Sequence, residues 1–140
     1  MKQFTQEITL ATSEPIQFID ITDRVRDAFA ASGIREGAVT IFTRHTTTSV
    51  KVNERCERLQ RDMRGMLERA VPAGTYEHDD DTIDGRGNGR GHLMAMLLGS
   101  SETIPASAGR LALGTWQSVF FVELDGPRPK RTITLKILGE

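Results

Sequence analysis

The chain has 140 residues, the size of one ordinary domain, and at 38% hydrophobic it can build a core without disulfides or a structural metal. Eighteen basic residues against nineteen acidic ones leave a net charge of -1, which excludes a general electrostatic attraction to nucleic acid or to an anionic membrane. The single cysteine, Cys56, excludes an intramolecular disulfide, no apolar run approaches the roughly 20 residues of a membrane span, and Met1–Glu7 lacks the apolar core of a signal peptide; the expected address is the cytoplasm.

Phe4, Gln6, Ile8 and Leu10 alternate with Thr5, Glu7 and Thr9, a period near two that predicts a half-buried strand over Gln3–Thr12. Ser13-Glu14-Pro15 turns the chain into a second strand over Ile16–Ile21. Thr22 is the expected cap of a helix over Asp23–Ser32, with Val25, Ala28 and Phe29 at helical spacing and Gly33 as its left-handed stop. Strands are expected over Gly37–Arg44 and Thr47–Asn53. From Glu54 to Ala70, Cys56, Leu59, Met63, Met66, Leu67 and Ala70 recur at three and four, the strongest amphipathic helix in the chain. Tyr76–Gly91, rich in acidic residues and glycine, reads as a long polar loop, and His92–Leu98 as a short buried helix. The last third reads as strands at Thr103–Pro105, Arg110–Leu113, Trp116–Leu124 and Arg131–Leu138, with a turn at Asp125-Gly126-Pro127-Arg128. Strands at both ends with helices between them predict an α+β fold on a largely antiparallel or mixed sheet, in one domain over 1–140.

The candidate chemistry gathers on three histidines, His45, His78 and His92, all at element ends or in the polar loop. Imidazole is both the commonest metal ligand and the natural acid–base group near neutral pH. Three of them with one open position would form a tetrahedral metal site, whereas no local spacing ties them together, and surface or hydrogen-bonding roles stand beside that reading. The run Gly85-Arg86-Gly87-Asn88-Gly89-Arg90-Gly91 reads either as an anion cradle before a helix or as a flexible loop. Arg128, Lys130 and Arg131 are candidate phosphate partners or a solubilising hairpin tip. Glu54 is a candidate general base or a helix cap; Cys56 and Trp116 read as core, the latter with its indole N–H bonded.

Read in order, His45-Thr46-Thr47, Asn53-Glu54, Asp62, Tyr76-x-His78, Asn88-x-x-x-His92-Leu93, Ile104-Pro105, Gly109, Leu113-Gly114-Thr115-Trp116-Gln117 and Glu123-x-Asp125-Gly126-Pro127-Arg128-x-x-Arg131 resemble the YjbQ family, also called secondary thiamine-phosphate synthase. The resemblance runs over nearly the whole chain, with LGTWQ and DGPR its most specific parts. It implies a compact α+β domain assembled as a homotrimer. It also implies a single site in which His45, His78 and His92 hold a divalent metal, zinc or magnesium. Glu54, Asn88 and Asp125 then become the catalytic candidates, and Thr46, Thr47, Glu123, Arg128 and Arg131 the candidates for binding substrate or phosphate. The implied activity is thiamine phosphate synthesis: a phosphorylated hydroxyethylthiazole joins a pyrimidine diphosphate with release of pyrophosphate. A metal-dependent phosphoester hydrolase and a non-catalytic metal- or anion-binding trimer are the alternatives. The expected partner is a small phosphorylated substrate, with no nucleic acid and no membrane. The chain departs from the family pattern at Thr48-Ser49-Val50-Lys51-Val52 and at Arg55-Cys56-Glu57-Arg58.

Overall fold

A computed structural model describes residues 1–80 and 83–140, and among these the expected α+β class is what the chain forms. Its strands are β1 (Lys2–Thr12), β2 (Gln17–Asp20), β3 (Gly37–Thr43), β4 (Thr48–Glu54), β5 (Ser101–Ser107), β6 (Arg110–Leu111), β7 (Gln117–Glu123) and β8 (Arg128–Gly139). Its helices are α1 (Thr22–Ser32), α2 (Glu57–Ala70), α3 (Glu77–Asp80) and α4 (Gly89–Leu98). One sheet has the order β1-β8-β3-β5-β6 and the other β2-β7-β4, with every recorded pairing antiparallel.

The sequence pattern of β7 explains how the two sheets share a core. Val119, Phe120, Phe121, Val122 and Glu123 are all buried, an unbroken run rather than the alternation of a half-exposed strand. Val119 and Phe121 face the larger cluster, with Val25 and Phe29 of α1 and Val39, Ile133 and Leu135 of the five-stranded sheet. Phe120 and Val122 face a smaller one, where Leu67 of α2 and Met94 of α4 meet Ile16 and Leu124. Each such side chain withdraws enough apolar surface to contribute about 1.5–3 kcal/mol before chain entropy is counted. The strand is thereby fixed on both faces, and so is its C-terminal end, where the polar residues begin.

Several local expectations need correction. Thr22 does not cap α1: Asp20 Oδ1 accepts the Thr22 N–H at 2.9 Å, while the Thr22 hydroxyl accepts the Val119 N–H at 2.8 Å and ties the helix to β7. The carboxylate two residues earlier won because it reaches the free amide from the end of β2. The long amphipathic helix begins at Glu57 rather than Glu54, with Cys56 half-buried at its cap and not in the core. The polar stretch is shorter than expected, because α3 occupies its start and α4 begins at Gly89. Trp116 is not core: it is 73% exposed in the turn before β7.

Gly91 shows why α4 starts within the glycine run. A Cβ at Gly91 would stand 2.6 Å from the Leu124 carbonyl oxygen, so only glycine lets the first turn of α4 lie against the end of β7. Asp79 Oδ1 accepts the Gly89 N–H at 2.8 Å and Asp79 Oδ2 the Tyr76 N–H at 3.0 Å. One carboxylate therefore caps α4 from ten residues upstream and fixes α3 beside it.

Candidate functional site

Three segments converge where β7 ends. The loop from β3 to β4 brings His45, Thr46 and Thr47, the α3–α4 region brings His78, Asn88 and His92, and the start of β8 brings Arg128 and Arg131; all eight line one cavity of about 500 Å³. Arg44, Ile83 and Asp84 complete its wall.

The frame beneath the cavity is a buried ion pair. Glu123 is fully buried and Arg131 4% exposed at the side chain. Arg131 Nη2 donates to Glu123 Oε1 at 2.6 Å and Nε donates to Oε2 at 2.8 Å. Thr12 Oγ1 donates to Oε2 at 2.9 Å, and the backbone N–H groups of Leu124 and Asp125 donate to Oε1 at 3.0 and 2.9 Å. Burial pushes the Glu123 carboxyl upward, but the Arg131 bonds, the Asp125 N–H and Thr12 outweigh it and hold it below the ordinary glutamate range. Arg131 Nη2 also donates to Thr47 Oγ1 at 2.9 Å. Glu123, Thr47 and the face of Arg131 bound to them thus position the site, and of the three only Thr47 and Arg131 reach the cavity wall.

Asp125 forms a second hub, nearer the surface. Its Oδ2 accepts from Arg128 Nη2 at 2.6 Å, Asn88 Nδ2 at 2.8 Å and Arg86 Nε at 3.1 Å. Burial raises the Asp125 carboxyl, and the bonds from Arg86, Asn88 and Arg128 more than offset it and leave it acidic. This carboxylate joins the segment before α4 to the turn after β7. Among the described residues, Asn88 Oδ1 is the buried side-chain polar atom left without a partner.

The imidazoles differ in role. The Thr132 N–H donates to His45 Nε2 at 3.0 Å, and a neutral imidazole has one acceptor nitrogen, so Nδ1 carries the proton. Burial, then the charge of Arg131, lowers the His45 pKa from its ordinary value, and Arg128 and Arg44 act in the same direction against Glu123. His78 and His92 pack edge to face with ring centres 4.6 Å apart. Burial, then His78, lowers the pKa of His92. Both His45 and His92 are therefore held toward the neutral form.

The expected three-histidine ligand set is not assembled in this arrangement. Among the described residues no group of three or more His, Cys, Asp or Glu side chains is placed to hold a metal ion. His45 already has Nε2 occupied by a backbone donor and Nδ1 protonated, and the charges of Arg131, Arg128 and Arg44 act on it against that of Glu123. Among the described residues, the ring nitrogens of His78 and His92 have no such bond.

Glu54 also departs from expectation. It pairs with Gln117 at one end of the β4–β7 ladder, whereas Thr48 pairs with Glu123 at the other. Six residues of strand put about 20 Å between Glu54 and the histidine end. Thr46 is exposed on the cavity wall, and Lys130 and Arg90 lie outside the cavity. Sequence reasoning missed Thr12, Arg44, Asp79 and Asp84. Asp79 carried a signal, a carboxylate before a glycine-led helix, while Thr12 is an ordinary strand residue until its partner from the opposite end of the chain is known.

The family described as "UPF0047 protein YjbQ-like" matches residues 6–140, and the chain belongs to that family. A UPF0047 protein of Methanothermobacter thermautotrophicus is 45% identical over 141 residues, covering 100% of this chain and 95% of the relative. A crystal structure of a YbjQ-like protein of unknown function from Sulfolobus solfataricus P2 superposes with a TM-score of 0.92 at 36% identity, covering 99% of each chain. An uncharacterised family member from Clostridium acetobutylicum gives a TM-score of 0.87 at 39% identity, covering 95% of this chain and 99% of its own.

These relatives correct the expected activity. The family and its solved structures are described as of unknown function, so membership brings no thiamine phosphate synthesis to this chain. The site agrees with that correction. Glu54, a catalytic candidate for that reaction, is far from the histidines.

Proposed function

We propose that the cavity takes up a small phosphorylated ligand in the cytoplasm. The observation that carries this reading is the make-up of its wall, where the guanidinium groups of Arg44, Arg128 and Arg131 stand against the single carboxylate of Asp84, with three imidazoles beside them as hydrogen-bonding groups. His45 supports it further, because the Thr132 N–H fixes its tautomer with a donor at Nδ1, as an oxyanion requires. His92, kept neutral beside His78, is suited to exchanging a proton with the bound ligand. In the described residues no helix is long and apolar enough to cross a membrane, which fits a partner taken from solution.

A second reading rests on Asn88. Asn88, whose Oδ1 is buried and unpartnered, and the paired rings of His78 and His92 line one cavity, a nitrogen and oxygen donor set that suits zinc better than magnesium. Such an ion would polarise a phosphoryl oxygen, while His45 would remain a hydrogen-bond donor.

Thermal unfolding against a panel of phosphomonoesters and inorganic phosphate tests the first reading. A ligand at 100 times its Kd stabilises by about 2.7 kcal/mol, and Arg44→Ala and His45→Phe should reduce the shift. A panel that raises the Tm for no member overturns it. Metal content of the purified protein tests the second: about one ion per chain, lost in His78→Ala and His92→Ala yet kept in His45→Phe, supports the ion, and its absence after zinc loading removes it.

A further inference from the structure

Three side chains on the cavity wall carry donors that the protein leaves unused. Thr47 and Arg131 are each 3% exposed yet both line the cavity, and half-buried His45 stands beside them on the β3–β4 loop. Arg131 Nη2 donates to Thr47 Oγ1, so the Thr47 hydroxyl proton must find its acceptor elsewhere, and among the described residues none takes it. Arg131 spends Nε and Nη2 on Glu123 and Thr47 and leaves Nη1 without a bond among the described residues. His45, whose Nε2 accepts from Thr132, likewise keeps its Nδ1–H unspent. Among those residues Asn88 Oδ1 is the side-chain polar atom both fully buried and unpartnered, so Arg131 Nη1 and His45 Nδ1 reach open space.

The three donors are held in place by the fold itself. The Thr47 carbonyl accepts the Leu124 N–H at 3.0 Å, which ties the loop to the end of β7, while Arg131 holds the hydroxyl from the other side. Arg131 is locked in turn by its two bonds to Glu123, and the next backbone N–H, that of Thr132, orients the imidazole. Two adjacent residues of β8 therefore set all three donors. The carboxylate on the cavity wall, Asp84, comes from the segment before α4 and not from this group. Donors fixed in this way suit a full anion better than a neutral group, because charge-assisted bonds are roughly twice as strong and no side chain has to reorganise.

We propose that His45 Nδ1–H, Thr47 Oγ1–H and Arg131 Nη1–H form a receptor for a tetrahedral dianion with three free oxygens, the terminal phosphoryl group of a phosphomonoester, and that Thr47 is its specificity-determining residue. Each free oxygen of the phosphoryl group takes one donor. A phosphodiester carries one charge and two free oxygens, so its second ester group faces a donor and leaves it buried and unpaired. Sites built to hydrogen-bond a ligand reject analogues on that ground. The inference rests on the phosphate reading and narrows it to one class of ester.

Titration calorimetry at about pH 7.5, above the last pKa of a phosphomonoester at about 6, compares methyl phosphate, sulfate and dimethyl phosphate. The native protein is measured beside Thr47→Ser and Thr47→Val. Methyl phosphate and sulfate should bind the native protein, with dimethyl phosphate weaker by about tenfold or more, and this preference needs no variant to be read. Thr47→Ser keeps the hydroxyl and should keep the preference. Thr47→Val keeps the shape, so methyl phosphate should lose about tenfold or more, the share of one hydrogen bond to a charged oxygen, against little change for dimethyl phosphate. A native protein that binds dimethyl phosphate as tightly as methyl phosphate overturns the proposal. So does a Thr47→Val variant that keeps the native preference, or one that weakens all three anions alike, which is the mark of a displaced Arg131. Larger phosphomonoesters that raise the Tm while methyl phosphate and sulfate fail to bind would overturn it and leave the phosphate reading standing, whereas no response to any phosphate removes both.

Discussion

Replacing Glu123 by leucine isolates the frame beneath the cavity. The substitution removes both Arg131 bonds, at 2.6 and 2.8 Å, and leaves a guanidinium buried without its counter-charge. It also strips the acceptor from the Thr12 hydroxyl and the Asp125 N–H, while the Leu124 N–H keeps its bond to the Thr47 carbonyl. Removing one member of a buried pair costs about 3–5 kcal/mol, most of it from the charge left behind. For a chain of this length that corresponds to a fall in Tm of roughly 10–20 °C. The same reasoning predicts that Arg131→Met in the Glu123→Leu background restores much of the loss, since two apolar side chains replace two charges. Urea unfolding of both single variants and the double variant, at one fixed protomer concentration, gives the coupling energy. A Glu123→Leu loss under about 1 kcal/mol, or a double variant equal to the sum of the singles, would refute a buried pair that holds the site.

Two further outcomes follow from local geometry. Gly91→Ala places a methyl 2.6 Å from the Leu124 carbonyl oxygen, so α4 must shift; a loss of about 1–3 kcal/mol is expected by urea unfolding, against a negligible change for Gly74→Ala, which meets nothing within 4 Å. His45 and His92 have folded pKa values below the ordinary 6.5, so the unfolded chain binds more protons just below that pH. Stability should therefore fall as pH drops from 6.5 toward the folded values, and His45→Gln should flatten that fall in a series of unfolding curves.

The sequence disclosed the site unevenly, for physical reasons. The antiparallel strands were legible because burial on one face imposes a period that a single chain displays; the α2 stripe revealed the helix, although only Leu67 of it is buried and Met66 and Ala70 are exposed. The joint placement of His45, His78 and His92 on one cavity came through the family resemblance, because no local spacing links residues so far apart. Their hydrogen-bond states were not legible at all: the donor to His45 Nε2 is the backbone of Thr132, which any residue but proline would supply. Glu123 and Arg131 read as phosphate-binding groups because a charged residue in sequence carries no sign of its burial. Trp116 read as core from its chemistry, and Glu54 read as part of the histidine site from its company in the motif series. Register decides both, since Glu54 opposes Gln117 while Thr48 opposes Glu123.

The two acidic residues that close β7 divide the work between them. Glu123 is inaccessible and saturated by donors, whereas Asp125 is partly exposed and shared among Arg86, Arg128 and Asn88. An anion entering the cavity must draw on Arg128, whose guanidinium is held by Asp125 at 2.6 Å. Asp125 is then a competitor for the cation as well as a strut. Asp125→Asn keeps the shape and removes the competing charge, so phosphate should bind several-fold more tightly, while amide exchange over residues 86–88 should quicken as Arg86 loses its partner. Titration calorimetry with inorganic phosphate and native-state hydrogen exchange measure the two effects separately. Tighter binding with faster exchange fits a strut that also restrains Arg128; weaker binding would mean that Asp125 presents the guanidinium to the ligand, and the competition argument would fall.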